Sequence, residues 1–173
     1  MTMKCDYCEL IEENRGLIYQ DDTIVIAVKD IAVVPGQVTV FPKKHYTIIE
    51  QIPDAIVVQC ALMANKVGVA VFEALGCQGT NVIIKNGLSA GQTVPHCALE
   101  IIPRAENDNL PLRWEPQPVP EDELEVTASL LREELANLPP DSAKEKELTK
   151  NKEKPIPEKP ADNYLLKSIR RMP

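Results

Sequence analysis

The chain's 173 residues are enough for one ordinary domain with an appendage and too few for two comfortable ones. An apolar content of 44% excludes wholesale disorder, and a net charge of −7 argues against a nucleic-acid or anionic-membrane surface as the main business. The start is acidic rather than basic and greasy, no run of eighteen apolar residues occurs, and the five cysteines are odd in number with one C-x-x-C. These features predict a soluble cytoplasmic protein with no membrane and no nucleic-acid partner, holding a metal site or buried thiols rather than a disulfide framework.

In chain order, Cys5 to Glu13 reads as a short turn or helix. Leu17–Tyr19 and Thr23–Lys29 are short β-rich runs, and Gln20-Asp21-Asp22 between them predicts a hairpin turn. Pro35-Gly36 signals a turn before a third strand, Gln37–Phe41, which Pro42 stops. Pro53 suits the first turn of a helix, and apolar residues then recur at Ile56, Cys60, Met63, Val67, Val71 and Ala74. That spacing marks one buried helix face, ended by Gly76. Two strands follow, Thr80–Lys85 and Cys97–Ile102, around a loop containing Asn86-Gly87-Leu88-Ser89-Ala90-Gly91. Five short strands and one long helix predict an α+β unit with a mainly antiparallel sheet.

Charge and proline divide the chain further. Residues 1–105 carry 11 acids and 8 bases, whereas residues 106–138 carry 9 acids and 2 bases. Five prolines lie up to Pro103 and ten from Pro111 onward. The expected organisation is a domain at 1–105, an acidic extension at 106–138 and a Lys/Glu/Pro linker at 139–160. A short basic helix at 161–173 ends the chain. Glu121–Leu138 has Leu124, Ala128, Leu131, Leu135 and Leu138 at helical spacing, with acids crowded into its first turn.

His45 and His96 are the two histidines. With Cys5 and Cys8 they form a possible Cys₂His₂ set, the donor mix that suits zinc. Spacing alone leaves this open against free thiols and two ordinary histidines. A thioredoxin-like redox pair fits less well, because no βαβ unit follows the cysteines. Cys60 and Cys77 read as small hydrophobes. In the strand that follows His96, side chains alternate. His96, Ala98 and Glu100 should therefore face a pocket or solvent, and Cys97, Leu99 and Ile101 the core.

The ordered set of motifs from Cys5 to Arg104 resembles the histidine-triad (HIT) family of nucleotide hydrolases and transferases. The set comprises Cys5-Asp6-Tyr7-Cys8, Tyr19-Gln20-Asp21-Asp22, Lys29-Asp30-Ile31, Pro35-Gly36, Pro42-Lys43-Lys44-His45, Asn86-Gly87, Ala90-Gly91-Gln92-Thr93-Val94 and His96 through Arg104. The resemblance implies a five-stranded antiparallel sheet with one long helix, paired into a homodimer. It also implies structural zinc on Cys5, Cys8, His45 and His96. An AMP- or GMP-like nucleotide would have its sugar at Asp30 and Ile31 and its phosphate near Asn86, Gly91, Gln92 and Thr93. The family signature places histidines at three alternate positions, and here these are His96, Ala98 and Glu100. The middle histidine is the family's nucleophile, attacking the α-phosphorus and carrying the nucleotide until water removes it. Alanine has no lone pair, so that step is impossible at position 98. Glu100 would repel a phosphate as a carboxylate, or donate a hydrogen bond if protonated.

Three readings follow: a nucleotide-binding protein with little or no turnover, a hydrolase or transferase inactivated by substitution at position 98, or a non-catalytic scaffold. Ala98 itself reads either as a natural loss or as an introduced change. The segment 161–173, with Tyr164, Leu165, Leu166, Ile169 and Met172 beside Arg170 and Arg171, is a candidate to dock back on its own dimer near the pocket or on a protein partner, the alternative being a frayed helix in solvent.

Overall fold

A computed structural model of the chain describes residues 5–112 and 114–138. The elements in order are α1 (Asp6–Glu12), β1 (Leu17–Gln20), β2 (Ile24–Val28), β3 (Val38–Pro42), α2 (Asp54–Leu75), β4 (Gly79–Ile84), β5 (Leu99–Arg104) and α3 (Glu121–Asn137). Short 3₁₀ turns at Ile49–Gln51 and Leu88–Ala90 flank α2 and β4. The five strands form one sheet in the order β1-β2-β3-β5-β4, with every neighbouring pair antiparallel. The expected α+β architecture is what the chain adopts.

The turn between β1 and β2 is held by Asp21. Its Oδ1 accepts the amides of Thr23 and Ile24, each at 2.7 Å, which fixes the chain reversal locally. Helix α2 ends at Gly76, whose φ of 65° is left-handed and whose amide bonds the Phe72 carbonyl at 3.1 Å.

Both faces of the sheet are covered around its centre. On one face Cys60, Ala64, Val67 and Val71 of α2 pack on Ile24, Ile26, Val38, Val40, Leu99 and Ile101. On the other, Tyr7 and Leu10 of α1 pack with Val25, Ala27, Phe41 and Ala98. The Tyr7 and Phe41 rings stack with centroids 4.7 Å apart. This double cover explains why β2 and β3 are apolar with little alternation, every residue except Val28 being buried. By length and composition α2 is apolar enough to cross a membrane. Its packed face instead marks it as the sheet's covering helix.

The last strand starts later than the alternation predicts. Cys97 donates its amide to the Tyr46 carbonyl at 2.7 Å instead of joining the ladder, so regular pairing begins at Leu99. At its other end Arg104 bonds Asp108, Asn81 and the Leu110 carbonyl.

The chain divides into two units between Glu125 and Val126, inside α3. That helix has its acids in the first turn, as expected, and no buried residue. The linker expected at 139–160 and the short helix at 161–173 lie outside the described residues.

Candidate functional site

Four residues distant in sequence converge at one end of the sheet. Cys5 caps the start of α1 and Cys8 lies one turn on, so the C-x-x-C spacing turns both thiols to the same side. His45 follows the end of β3, and His96 precedes β5, the strand beside it. The donor atoms of Cys5, Cys8, His45 and His96 all lie within 4.8 Å of one another. Cys5 Sγ is 3.5 Å from His96 Nδ1, Cys8 Sγ is 3.5 Å from His45 Nδ1, and Cys8 Sγ is 3.8 Å from His96 Nδ1. A tetrahedral zinc with sulfur at ~2.3 Å and nitrogen at ~2.0–2.1 Å separates such donors by about 3.5 Å. The residues present fit a zinc ion.

Their surroundings fit as well. The other ring nitrogen of His96, Nε2, donates to the Pro42 carbonyl at 2.9 Å, which leaves the Nδ1 lone pair facing the thiols. Burial pushes His96 down to about 4, against the pull of the Pro42 carbonyl, and His45 lowers it further, so the ring is neutral. Burial, then the Cys5 thiol beside it, pushes Cys8 up to about 11. A bound cation would reverse that preference and hold both sulfurs as thiolates.

Beside this cluster lies an open cleft lined by Tyr7, Lys29, Lys85, Gln92, Thr93, Val94, His96, Ala98 and Glu100. His96, Ala98 and Glu100 do face a pocket, as alternation predicts, but they are buried at its floor (2%, 8% and 7% exposed) rather than open to solvent.

Glu100 is held by four donors. Lys29 Nζ reaches its Oε1 at 2.8 Å and the Tyr7 hydroxyl donates to the same oxygen at 3.0 Å. The Gln37 amide and the Thr39 hydroxyl donate to Oε2. Every partner presents a hydrogen, so Glu100 acts as an acceptor here, and both of its oxygens are occupied. Burial, then the Glu100 charge, pushes the Tyr7 phenol up, which keeps it a donor.

The other expected site residues are spread around the cleft. Gln92 and Thr93 belong to its lining; Asp30, Ile31, Asn86 and Gly91 do not. Asp30 pairs with Arg15 at 2.8 Å, and Ile31 stands 86% exposed. The Asn86 side chain bonds Glu50 and the Ile49 amide, and that of Gln92 bonds the Gly87 amide and the Thr47 and Val94 carbonyls. Both organise the loops around the cleft. Tyr7, Lys29, Lys85 and Val94 were not expected as lining residues. Only the register that brings α1, β2, β4 and β5 together reveals them.

A HIT-domain family model matches residues 11–107. The chain belongs to the HIT family. An adenylylsulfatase from Arabidopsis thaliana is 29% identical to this HIT protein over 108 residues, 61% of this chain and 55% of the relative, so the chain spans little more than half of that protein. An adenosine 5′-monophosphoramidase from Schizosaccharomyces pombe is 26% identical over 127 residues, 72% of this chain and 92% of the relative. The crystal structure of a zinc-bound histidine triad family protein from Mycobacterium smegmatis superposes with a TM-score of 0.59 at 29% identity, covering 83% of this chain and 100% of that one.

Proposed function

We propose that this HIT protein carries structural zinc and binds a purine nucleoside monophosphate, or an ester of one, over Ala98 without covalent turnover. The observation that carries this reading is Ala98 on the floor of a cleft that is otherwise furnished for an anion. No other imidazole replaces the missing nucleophile. His96 points one nitrogen at Pro42 and the other at the thiols, and His45 belongs to the same cluster.

Zinc on Cys5, Cys8, His45 and His96 would tie α1 to the ends of β3 and β5. Four protein ligands leave no coordination position for substrate or water, so its chemistry is structural. Asp30 and the exposed Ile31 take the sugar, with Ile31 offering apolar surface to ring atoms. Gln92 and Thr93 of the cleft lining border the phosphate, and Asn86 and Gly91 shape the loop that carries them. The relatives named for adenylylsulfate and adenosine monophosphoramide chemistry support an adenylyl ligand. A homodimer is part of the reading. Val58, Leu62, Val69 and Leu75 of α2 and Val82 and Ile84 of edge strand β4 are exposed apolar residues, and a second copy would cover them.

Calorimetric titration with AMP and GMP tests the reading. Saturable binding of one equivalent per chain, with the ligand recovered unchanged, is expected; absence of binding would refute it. The open space above Ala98 also favours a second reading, a hydrolase that lost its nucleophile by substitution. Under that reading Ala98→His restores hydrolysis of a nucleoside phosphoramidate, and under the first it does not.

A further inference from the structure

Two lysines reach the cleft from elements that are far apart in the sheet. Lys29 follows β2 and Lys85 follows β4, and the β3–β5 pair lies between those strands. The side chains therefore come from opposite sides of the segment that carries Ala98 and Glu100, and both line the cleft.

Their electrostatic settings differ. Lys29 is paired with Glu100 at 2.8 Å, and its side chain is 26% exposed against 9% for the glutamate. The carboxylate thus sits deeper than the ammonium and is capped by Tyr7, Gln37 and Thr39 as well. Lys85 is exposed and has no ion-pair partner among the described residues. Two lysines against one carboxylate leave the lining with a net positive charge, and an anion entering from solvent meets the ammonium groups first.

We infer that Lys29 and Lys85 form the subsite that holds the ligand's phosphate, with Glu100 as the positioning residue that fixes Lys29. The site then selects a phosphate monoester over the uncharged nucleoside. This deepens the nucleotide reading given above and rests on it for the nucleoside portion. An imidazole at position 98 would occupy the floor between the lysines; alanine leaves that space for phosphate oxygens, and the ligand is held by charge without being attacked. Glu100, which alone would repel a phosphate, is neutralised by the cation it positions.

The test compares AMP, adenosine and inorganic phosphate by calorimetry on the full chain, for the wild type, Lys85→Met, Lys29→Met and Glu100→Gln. Loss of one charged hydrogen-bonding partner should weaken AMP binding about tenfold while leaving adenosine binding unchanged. It should also flatten the salt dependence of AMP affinity. Glu100→Gln should weaken AMP less than Lys29→Met and again spare adenosine, which a merely structural role for the pair would not do. Lys85 is exposed, so its substitution leaves the fold intact even if changes at Lys29 or Glu100 do not. Equal AMP affinity in Lys85→Met and wild type, or a parallel loss for adenosine, would overturn the subsite. Lysine-dependent phosphate binding by a chain that binds no nucleotide would support the subsite and remove the nucleotide reading. Binding of neither would overturn both.

Discussion

Tyr7, one residue before Cys8 in α1, donates its hydroxyl to Glu100 at 3.0 Å. One short helix and the residue that precedes it therefore supply two thiols to the candidate metal cluster and a hydrogen bond to the floor of the cleft. The helix has only seven residues, too few to be stable alone. Its position rests on Tyr7 and Leu10 packing on the sheet and on the contacts of the two thiols with His96 and His45.

Metal analysis of protein purified without chelator should give one zinc per chain. Chelation should then raise amide exchange throughout residues 6–12 and weaken AMP binding, because Tyr7 leaves Glu100. Unchanged exchange in α1 after complete metal removal would show that packing alone holds the helix.

Removing the Glu100 carboxylate leaves Lys29 partly buried without its counter-charge and three donors unpaired. Glu100→Ala should cost about 3 kcal/mol of stability, the low end for breaking a buried pair because Lys29 retains some solvent access. Urea denaturation measures this. Glu100→Gln, which keeps the shape and one acceptor, should cost less.

Acid should loosen the β1–β2 turn. Burial alone would raise Asp21, but the Thr23 and Ile24 amides and the Thr23 and Tyr19 hydroxyls outweigh it and hold the carboxyl at about 2. A folded value below the ordinary ~3.9 means that this stabilisation is full above about pH 4 and fades as pH falls toward 2. Melting temperatures between pH 5 and pH 2 should therefore fall less steeply for Asp21→Asn than for the wild type.

Self-association should depend on the exposed apolar face. Val82 pairs with Ile101 and Ile84 with Leu99, so both β4 residues point to the same side of the sheet as α2. Leu62→Glu should give a monomer by light scattering at micromolar concentration, where a dimer is expected of the wild type. A monomeric wild type would contradict the homodimer.

Much of this was legible in the sequence. The recurrence of apolar residues from Ile56 to Ala74 and the stop at Gly76 mark α2, because helix periodicity and a left-handed cap are local properties. The C-x-x-C and the two histidines were visible as a donor set; their meeting depends on β3 and β5 being neighbours, which pattern alone does not dictate. The same is true of Lys29, Lys85 and Tyr7, whose convergence follows from sheet order and from α1 covering the second face. Glu100 reads as a repulsive charge until its four donors are in place. The late start of β5 escaped alternation because the Cys97 amide turns to Tyr46, a contact 51 residues away in sequence.

On the proposed reading the cleft holds a nucleotide without forming a bond to it. Intact-mass spectrometry of the zinc-loaded protein, after incubation with adenosine 5′-phosphoramidate and alongside a calorimetric titration of the same ligand, tests it most directly. Saturable binding, no added nucleotidyl mass and ligand recovered intact are expected. A nucleotidylated protein, or steady release of AMP, would contradict it.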